Sequence, residues 1–268
     1  MPGKQKDKKF KQKLDTLYER YTKRAFVDPD PLLFLYDYPE IQDREIVGMV
    51  ASCLAYGRVG MIMKTVGHVL AELGDSPHRF LTRSSLDQIQ NRFRGFKYRF
   101  ATEAHLCSLF SGIQNILKTH GSLEGCFLSA PTSAGPVQGL TAMYQTILES
   151  GDPGHLLADP RKNSACKRSF LFLRWMVRKD EVDPGGWSTL SPSELVYPID
   201  THMYKIGTLM GFTQKKAANK GCALEITRGF RQIEPHDPVK YDFALTRFGI
   251  RDQMDLKDLS RYLLSGIP

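Results

Sequence analysis

The sequence predicts an all-α fold, and three observations lead to that prediction. Apolar residues recur every three to four positions along most of the 268 residues, as they do on the buried face of a helix. No segment alternates apolar and polar residues as a half-buried strand would, and there is neither an internal repeat nor a heptad pattern. With 41% hydrophobic residues over this length, the chain can bury a sizeable core.

The first thirty residues are predicted to form a basic arm that leads into a helix. Residues 4–13 are rich in lysine, and Leu14, Leu17, Tyr18 and Tyr21 follow at helical spacing. A solvated, frayed terminus and a nucleic-acid contact are both compatible with this pattern. We therefore divide the chain into an arm, residues 1–30, and a domain, residues 31–268.

The first half of the domain is predicted to be a series of helices separated by turns. After the proline-rich break DPDPLLFLYDYPE, the segment REIVGMVASCLAYGRVGMIMKTVGHVLAEL predicts two largely apolar helices joined near residues 56–58, the first buried nearly all round. LDQIQNRF and ATEAHLCSLFSGIQNILKTHG predict further helices, which the basic aromatic turn RGFKYRF joins. LSAPTSAGPVQG is predicted to be a surface connection.

The second half of the domain is predicted to contain a helix, a hairpin and a second helix. The first helix is expected to end near Leu157, and a short turn then covers residues 159–163. Ser164 is a suitable N-cap for a buried helix that begins at Ala165 and contains SFLFLRWMVR. The long loop KDEVDPGGWSTLSPSELVYP follows. The remaining segments predicted to be helical are MYKIGTLMGF, AANKGCALEITRGFRQI, VKYDFALTRFGI and DLKDLSRYLL.

Composition narrows the class of partner and cofactor. Lys and Arg number 37 against 29 Asp and Glu, so the formal charge is +8 and the pI about 9.2. This excess favours a polyanionic partner, with nucleic acid first and an anionic membrane second, although modest positive charge is common. The five cysteines are scattered without a CxxC pair, which argues against disulfides, zinc or an iron–sulfur cluster. We expect no cofactor and no metal.

Several functions lose support because their sequence motifs are missing. The motifs GxxxxGK[ST], GxGxxG, HExxH and GxSxG do not occur. No apolar stretch follows the basic start, and no apolar run reaches the length that spans a membrane. We therefore expect a cytoplasmic protein without a membrane partner.

Two residues are candidates for chemistry. In YPIDTHMYKIG, Asp200 lies at the start of a helix, where it either caps the amides of residues 202 and 203 or supplies a catalytic carboxylate. Lys167 lies in the first turn of the buried helix, where exposed amides and apolar neighbours favour the neutral, nucleophilic amine. The neighbouring cations are Arg161, Lys162 and Arg168. The alternative is that Lys167 contacts solvent or phosphate.

Together these blocks resemble the helix-hairpin-helix DNA glycosylase superfamily, which contains endonuclease III and the 8-oxoguanine DNA glycosylases. KRSFLFLRWMV is similar to the helix that carries the catalytic lysine, and PIDTHMYKIGTLMGF is similar to the V-D-x-H motif. Upstream, REIVGMVASCLAYGR and GFKYRFATEAHLCSLFSGIQNILKTHGSL look like two core helices of the 8-oxoguanine enzymes. The similarity covers roughly residues 44–250.

The resemblance implies a two-lobed fold with a hairpin near residues 155–178 and an active site in the interlobe cleft. It implies that Lys167 is the Schiff-base nucleophile and that Asp200 helps to deprotonate it and stabilises the developing sugar cation. The implied function is base excision of an oxidised purine such as 8-oxoguanine, with AP lyase activity. The implied partner is double-stranded DNA that contains a damaged base, bound by a monomer. The alternative is a non-catalytic nucleic-acid-binding module that retains the fold.

The resemblance also implies residues that contact DNA, although the hairpin departs from the family pattern. Tyr56 lies where the family places its gap-filling residue, and Asn163 is expected to take the positive φ of the missing hairpin glycine. The residues implied to bind DNA are Arg161, Lys162, Asn163, Ser164, Arg168, Tyr56 and Arg58. The aromatic candidates for a base pocket, for each of which packing in the core is the favoured alternative, are Trp175, Trp187, Tyr241, Phe243 and Phe248. The C-terminal four-cysteine cluster of endonuclease III is absent.

Overall fold

The computed structural model describes residues 2–131, 135–250 and 255–265 and is predominantly helical. The all-α prediction is confirmed. The helices are α1 (Pro2–Tyr21), α2 (Ile41–Leu54), α3 (Val59–Leu73), α4 (Pro77–Arg83), α5 (Leu86–Arg92), α6 (Glu103–His120), α7 (Leu123–Leu128), α8 (Pro136–Glu149), α9 (Lys167–Val177), α10 (Thr201–Leu209), α11 (Lys220–Ile233), α12 (Asp242–Ile250) and α13 (Leu256–Leu264). Short 3-10 helices lie at Arg24–Phe26, Pro31–Asp37, Gly154–Leu156 and Pro192–Glu194.

A short antiparallel hairpin interrupts the helices, and the sequence did not predict it. Strand β1 (Lys97–Tyr98) pairs with β2 (Ala101–Thr102), with Tyr98 opposite Ala101. The hairpin lies within the turn RGFKYRF, between α5 and α6. Its strands are too short for an alternating pattern of burial to be visible in the sequence.

The centre of the molecule is the contact between α2 and α9. The predicted burial of α2 nearly all round is confirmed, since every residue from Glu45 to Leu54 is buried. Gly48 allows α9 to approach closely, because a Cβ there would lie 3.2 Å from the Met176 sulfur and 3.4 Å from the Phe172 ring. The junction predicted near residues 56–58 is also confirmed, since α2 ends at Leu54 and α3 begins at Val59.

A buried arginine network fastens the C-terminal end of α9. The Arg174 guanidinium contacts Asp183 at 3.0 Å and Asp242 at 2.5 Å. Arg178 contacts Asp237 at 2.9 Å and also pairs with Asp183. The network joins α9 to the loop that follows it and to the start of α12, and buried charges are stable only when they are paired in this way.

The helix predicted in the N-terminal segment is α1, which packs against α12 and α13. Lys13 donates to the carbonyl of Tyr262 at 2.7 Å, and Asp15 accepts from Lys240 at 2.8 Å. These contacts hold α1 against the C-terminal part of the domain. They engage Lys13 and Asp15, which lie in the segment predicted to form the arm. The side chains of residues 1–7, which include Lys4 and Lys6, lie outside the described part. None of the described helices combines the length and apolarity needed to cross a bilayer.

Candidate active site

A cavity of about 670 Å³ lies at the N-terminal ends of α9 and α10. Its walls come from residues 29–31, from the α2–α3 turn at residues 55–57, from residues 164–169 and from Asp200 and His202. We call it the Lys167 cavity. Its volume falls in the range of about 300–1,000 Å³ that is usual for pockets that bind small molecules.

The Lys167 cavity brings together the two residues that the sequence singled out for chemistry. The Lys167 Nζ lies 3.2 Å from the Asp200 Oδ2. The two side chains keep 36% and 20% of their surface exposed, so a ligand in the cavity could reach both. The pair therefore places an amine at the start of α9 beside a carboxylate at the start of α10.

Asp200 caps α10 and faces the Lys167 cavity at the same time. Its Oδ1 accepts hydrogen bonds from the amides of His202 and Met203, each at 2.9 Å, which confirms the predicted N-cap. Its other oxygen, Oδ2, forms the ion pair with Lys167. Burial raises the pKa of Asp200, but the Lys167 ammonium and the Met203 amide outweigh burial, so the pKa is lower than usual. Asp200 is thus an anion at neutral pH.

The helix that carries Lys167 starts later than the sequence predicted. Helix α9 begins at Lys167 itself, and its N-cap is Cys166 rather than Ser164. The positive φ predicted at Asn163 lies instead at Cys166, where φ is 46°. The Ser164 hydroxyl accepts from the Cys166 amide at 3.2 Å without capping the helix.

A long-range contact explains this later start. Ser164 forms a β-bridge with Asn219, and the Asn163 carbonyl accepts from the Lys220 amide at 3.3 Å. A β-bridge residue such as Ser164 cannot also lie in the first turn of a helix. The chain therefore turns sharply at Cys166, which points the first turn of α9 into the Lys167 cavity.

The first arm of the predicted hairpin also differs from the prediction. Helix α8 ends at Glu149 and not near Leu157, and a 3-10 helix, Gly154–Leu156, occupies the expected last turn. Gly151 and Gly154 take positive φ values of 135° and 55°. These conformations, together with Pro153, stop a continuous α-helix.

The predicted DNA-binding residues divide into exposed and engaged groups. Arg58 and Lys162 are exposed, and the exposed Arg161 guanidinium lies 2.8 Å from the Asp159 carboxylate. Arg168 is engaged within the fold, because its Nη1 donates to the Cys53 carbonyl at 2.7 Å and its Nη2 donates to the His155 carbonyl. Arg168 therefore fastens α9 to the end of α2 and is not the free phosphate contact that was expected.

Tyr56 is likewise held in place. Its ring packs 4.8 Å from the Arg168 guanidinium, and its hydroxyl donates to the Tyr98 carbonyl at 3.0 Å. The Tyr98 hydroxyl donates back to the Tyr56 carbonyl. Tyr56 lines the Lys167 cavity, but this pair of hydrogen bonds prevents it from projecting as a gap-filling side chain.

None of the five aromatic residues predicted for a base pocket is among the residues that line the Lys167 cavity. Trp175, Tyr241 and Phe243 are at most 1% exposed, and their packing is that of core residues. Trp187 is also buried and donates to the Glu45 carboxylate at 3.2 Å. Phe248 packs edge-on against Tyr21 at 5.4 Å.

One residue at the site was missed by the sequence analysis. His202 lines the Lys167 cavity, and its buried Nδ1 has no hydrogen-bond partner among the described residues. Gly249 makes room for the ring, since a Cβ there would fall 2.3 Å from that nitrogen. The available signal was its position two residues after Asp200, where it matches the histidine of the V-D-x-H motif.

The described ranges contain no group of three His, Cys, Asp or Glu side chains that could hold a metal ion. The five cysteines are buried and form no disulfide. Lys167, Asp200 and His202 line the cavity together with four other ionisable side chains, those of Asp30, Tyr56, Cys166 and Arg168.

Comparison with curated proteins gives no significant match, and neither does comparison with solved structures. A family model does match, over residues 30–251, and this range includes every residue of the Lys167 cavity except Pro29. Because the match covers most of the chain, the protein belongs to the family described as "Protein of unknown function (DUF2400)".

Proposed function

We propose that the protein is a base-excision-repair DNA glycosylase with AP lyase activity, which removes an oxidised purine such as 8-oxoguanine. The observation that carries the proposal is the 3.2 Å separation of the Lys167 Nζ and the Asp200 Oδ2 in one cavity. The resemblance of both sequence blocks to the helix-hairpin-helix glycosylases supplies the reaction class. In the proposed fold, two lobes flank a cleft that corresponds to the Lys167 cavity.

In the proposed reaction, Asp200 accepts a proton from the Lys167 ammonium, and the neutral amine attacks C1′ of the damaged nucleotide. The bond between C1′ and the base breaks, and the departing base leaves with that proton. Opening of the sugar transfers a proton from the amine to O4′ and leaves an iminium between Lys167 and C1′. No oxidant or reductant is required, and β-elimination from this iminium accounts for the lyase step.

The position of Asp200 suits it to stabilise the developing sugar cation. Two amide hydrogen bonds at 2.9 Å fix one carboxylate oxygen, so the other is held in place before any substrate arrives. A preorganised charge of this kind is usually the largest single contribution to catalysis. The lowered pKa of Asp200, which Lys167 and Met203 maintain against the effect of burial, keeps it anionic at neutral pH.

The proposed partner is double-stranded DNA, bound by a monomer. The formal charge of +8 favours binding to the phosphate backbone. Arg58, Arg161 and Lys162 are exposed and close in sequence to residues that line the Lys167 cavity, so they are the proposed phosphate contacts. A cytoplasmic, nucleoid-associated location follows from this proposed role.

Borohydride trapping tests the proposal. The full chain is incubated with duplex oligonucleotides that each carry one lesion, and borohydride reduces any iminium to a stable amine. We expect an adduct with an oxidised-purine duplex, its absence in Lys167→Gln, and its retention in Lys179→Gln, an exposed lysine just beyond the other end of α9. An adduct of equal yield in Lys167→Gln would overturn the assignment of the nucleophile.

A second candidate is a non-catalytic nucleic-acid-binding module. It is favoured by the positive charge and by the ion pair that occupies Lys167. It predicts salt-sensitive binding, no adduct and no release of base on any lesion. Base release without an adduct would instead identify an enzyme that uses water as the nucleophile.

A further inference from the structure

The tip of the β1–β2 hairpin presents an aromatic ring to solvent. Arg99 and Phe100 form its two-residue turn, between Tyr98 and Ala101. Phe100 is 64% exposed, more than any other large hydrophobic side chain in the described ranges. A single exposed ring is common on protein surfaces, so the surroundings of Phe100 decide whether it has a partner.

The hairpin holds this ring on a rigid base. Tyr98 is buried, and its reciprocal hydrogen bonds with Tyr56 tie β1 to the α2–α3 turn. Arg99 takes a positive φ of 50°, which sets the direction of the tip. Its side chain packs over Gly57, where an added Cβ would lie 2.9 Å from the guanidinium. Phe100 is therefore presented by a braced turn.

A row of rings connects Phe100 to the Lys167 cavity. The Phe100 ring lies 5.1 Å from the His155 ring, and His155 lies 4.7 Å from Tyr56. Tyr56 and Gly57 both line the cavity. Burial, with the nearby charges of Arg168 and Arg99, lowers the pKa of His155, so the imidazole in this row is neutral. Phe100 thus lies two ring contacts away from Tyr56, a residue of the cavity wall.

The charges around Phe100 indicate the kind of partner. Arg58, Lys97 and Arg99 are exposed near the hairpin and its supporting turn, and the Arg99 guanidinium lies 5.8 Å from the Phe100 ring centre. An apolar ring between cations is complementary to stacked bases between phosphates. An acidic protein would match the cations but would offer no stack of flat apolar surfaces.

We infer that Phe100 inserts into the base stack of duplex DNA beside the nucleotide that enters the Lys167 cavity, while Arg99 contacts a neighbouring phosphate. In this proposal Phe100, at the exposed tip of the hairpin, opens the duplex. Tyr56 does not, because hydrogen bonds hold it in place. The inference rests on the proposed function for the identity of the partner. It adds the residue that opens the duplex, a step that a single strand, which has no stack of paired bases, does not need.

The test uses a duplex on which no chemistry occurs. A tetrahydrofuran abasic analogue is placed in one strand with fluorescent 2-aminopurine as its neighbour, and fluorescence is read at saturating wild-type protein. Insertion unstacks the 2-aminopurine and raises its fluorescence. We expect Phe100→Ala to lose most of this rise and about tenfold in affinity for the duplex, as is usual for lost base–aromatic contacts.

Three comparisons make the result specific. Phe100→Leu keeps an apolar side chain and should retain at least half of the rise, whereas Leu86→Ala, which removes a side chain 54% exposed on α5, should change nothing. The loss of affinity in Phe100→Ala should be larger for the duplex than for the single strand, which has no paired stack to open. An undiminished rise in Phe100→Ala overturns the inference, and so does the absence of any rise with wild type. Because the analogue has no base to excise, a failed trapping experiment leaves this readout intact.

Discussion

Helix α9 carries two kinds of ion pair, one at each end. At its start, Lys167 meets Asp200 at 3.2 Å with both side chains partly exposed. At its other end, Arg174 meets Asp242 at 2.5 Å with both side chains almost fully buried. The first pair opens into a cavity, whereas the second is closed within the buried arginine network.

The surroundings of the two carboxylates explain why their pKa values shift in opposite directions. Burial raises the pKa of Asp242 to about 6, and Arg174 opposes the rise without cancelling it. Burial acts in the same direction on Asp200, but Lys167 and the Met203 amide outweigh it there. At the start of α9, the ionised Asp200 therefore lies beside the accessible Lys167. At the other end, the pair of Arg174 and Asp242 joins α9 to α12.

The largest expected effect is on stability, at the buried end. Asp183→Ala leaves two buried arginines without a shared partner, and removing one member of a buried ion pair costs about 3–5 kcal/mol. Urea unfolding of the variant should show this loss in the free energy of unfolding. A loss below about 1 kcal/mol would mean that water or the other carboxylates replace Asp183 without difficulty.

At the open end, replacing the capping carboxylate should have a smaller effect on stability. Asp200→Ala removes the acceptor of two amide hydrogen bonds and should cost about 1 kcal/mol, whereas Asp200→Asn keeps a good N-cap. Both variants should lose borohydride trapping, because neither retains the anion. If Asp200→Asn still forms adducts at the wild-type rate, Asp200 is a cap and nothing more.

Lys167→Gln should change stability least and trapping most. A partly exposed ion pair contributes about 0–1 kcal/mol, so the free energy of unfolding should stay close to that of the wild type. Adduct formation should disappear, because the amide of glutamine cannot form an iminium. Thermal unfolding and trapping on the same preparation measure both. A variant that is strongly destabilised would show that Lys167 serves the fold.

The helices and the two site residues could be predicted because their signals are local. Helical spacing identified α2 and α3, and Asp200 has the residue type and position of an N-cap. The start of α9 could not be predicted, because the β-bridge to Asn219 that keeps Ser164 extended joins residues far apart in sequence.

The sequence also could not show which aromatic residues are buried and which are exposed. Trp175 and Phe100 are both aromatic residues near basic ones, yet the structure buries the first completely and leaves the second 64% exposed. The difference depends on which elements pack over each ring. Local residue types therefore identified the ionisable pair, whereas tertiary packing decided which rings a ligand can reach.

The smallest expected effect is the pH dependence at the two ends of α9. Because the pKa of folded Asp200 lies below its ordinary value of 3.8, its ionised form stabilises the fold above about pH 4, and this contribution is lost as the pH falls further. The free-energy difference between wild type and Asp200→Asn should therefore shrink in urea titrations from pH 6 to pH 3.

Asp242→Asn is the matched control. The raised pKa of Asp242 makes the wild type lose stability as the pH rises from about 4 to about 6, so the slope has the opposite sign. Slopes of the same sign would show that burial dominates at both ends and that the open pair does not hold a ready anion.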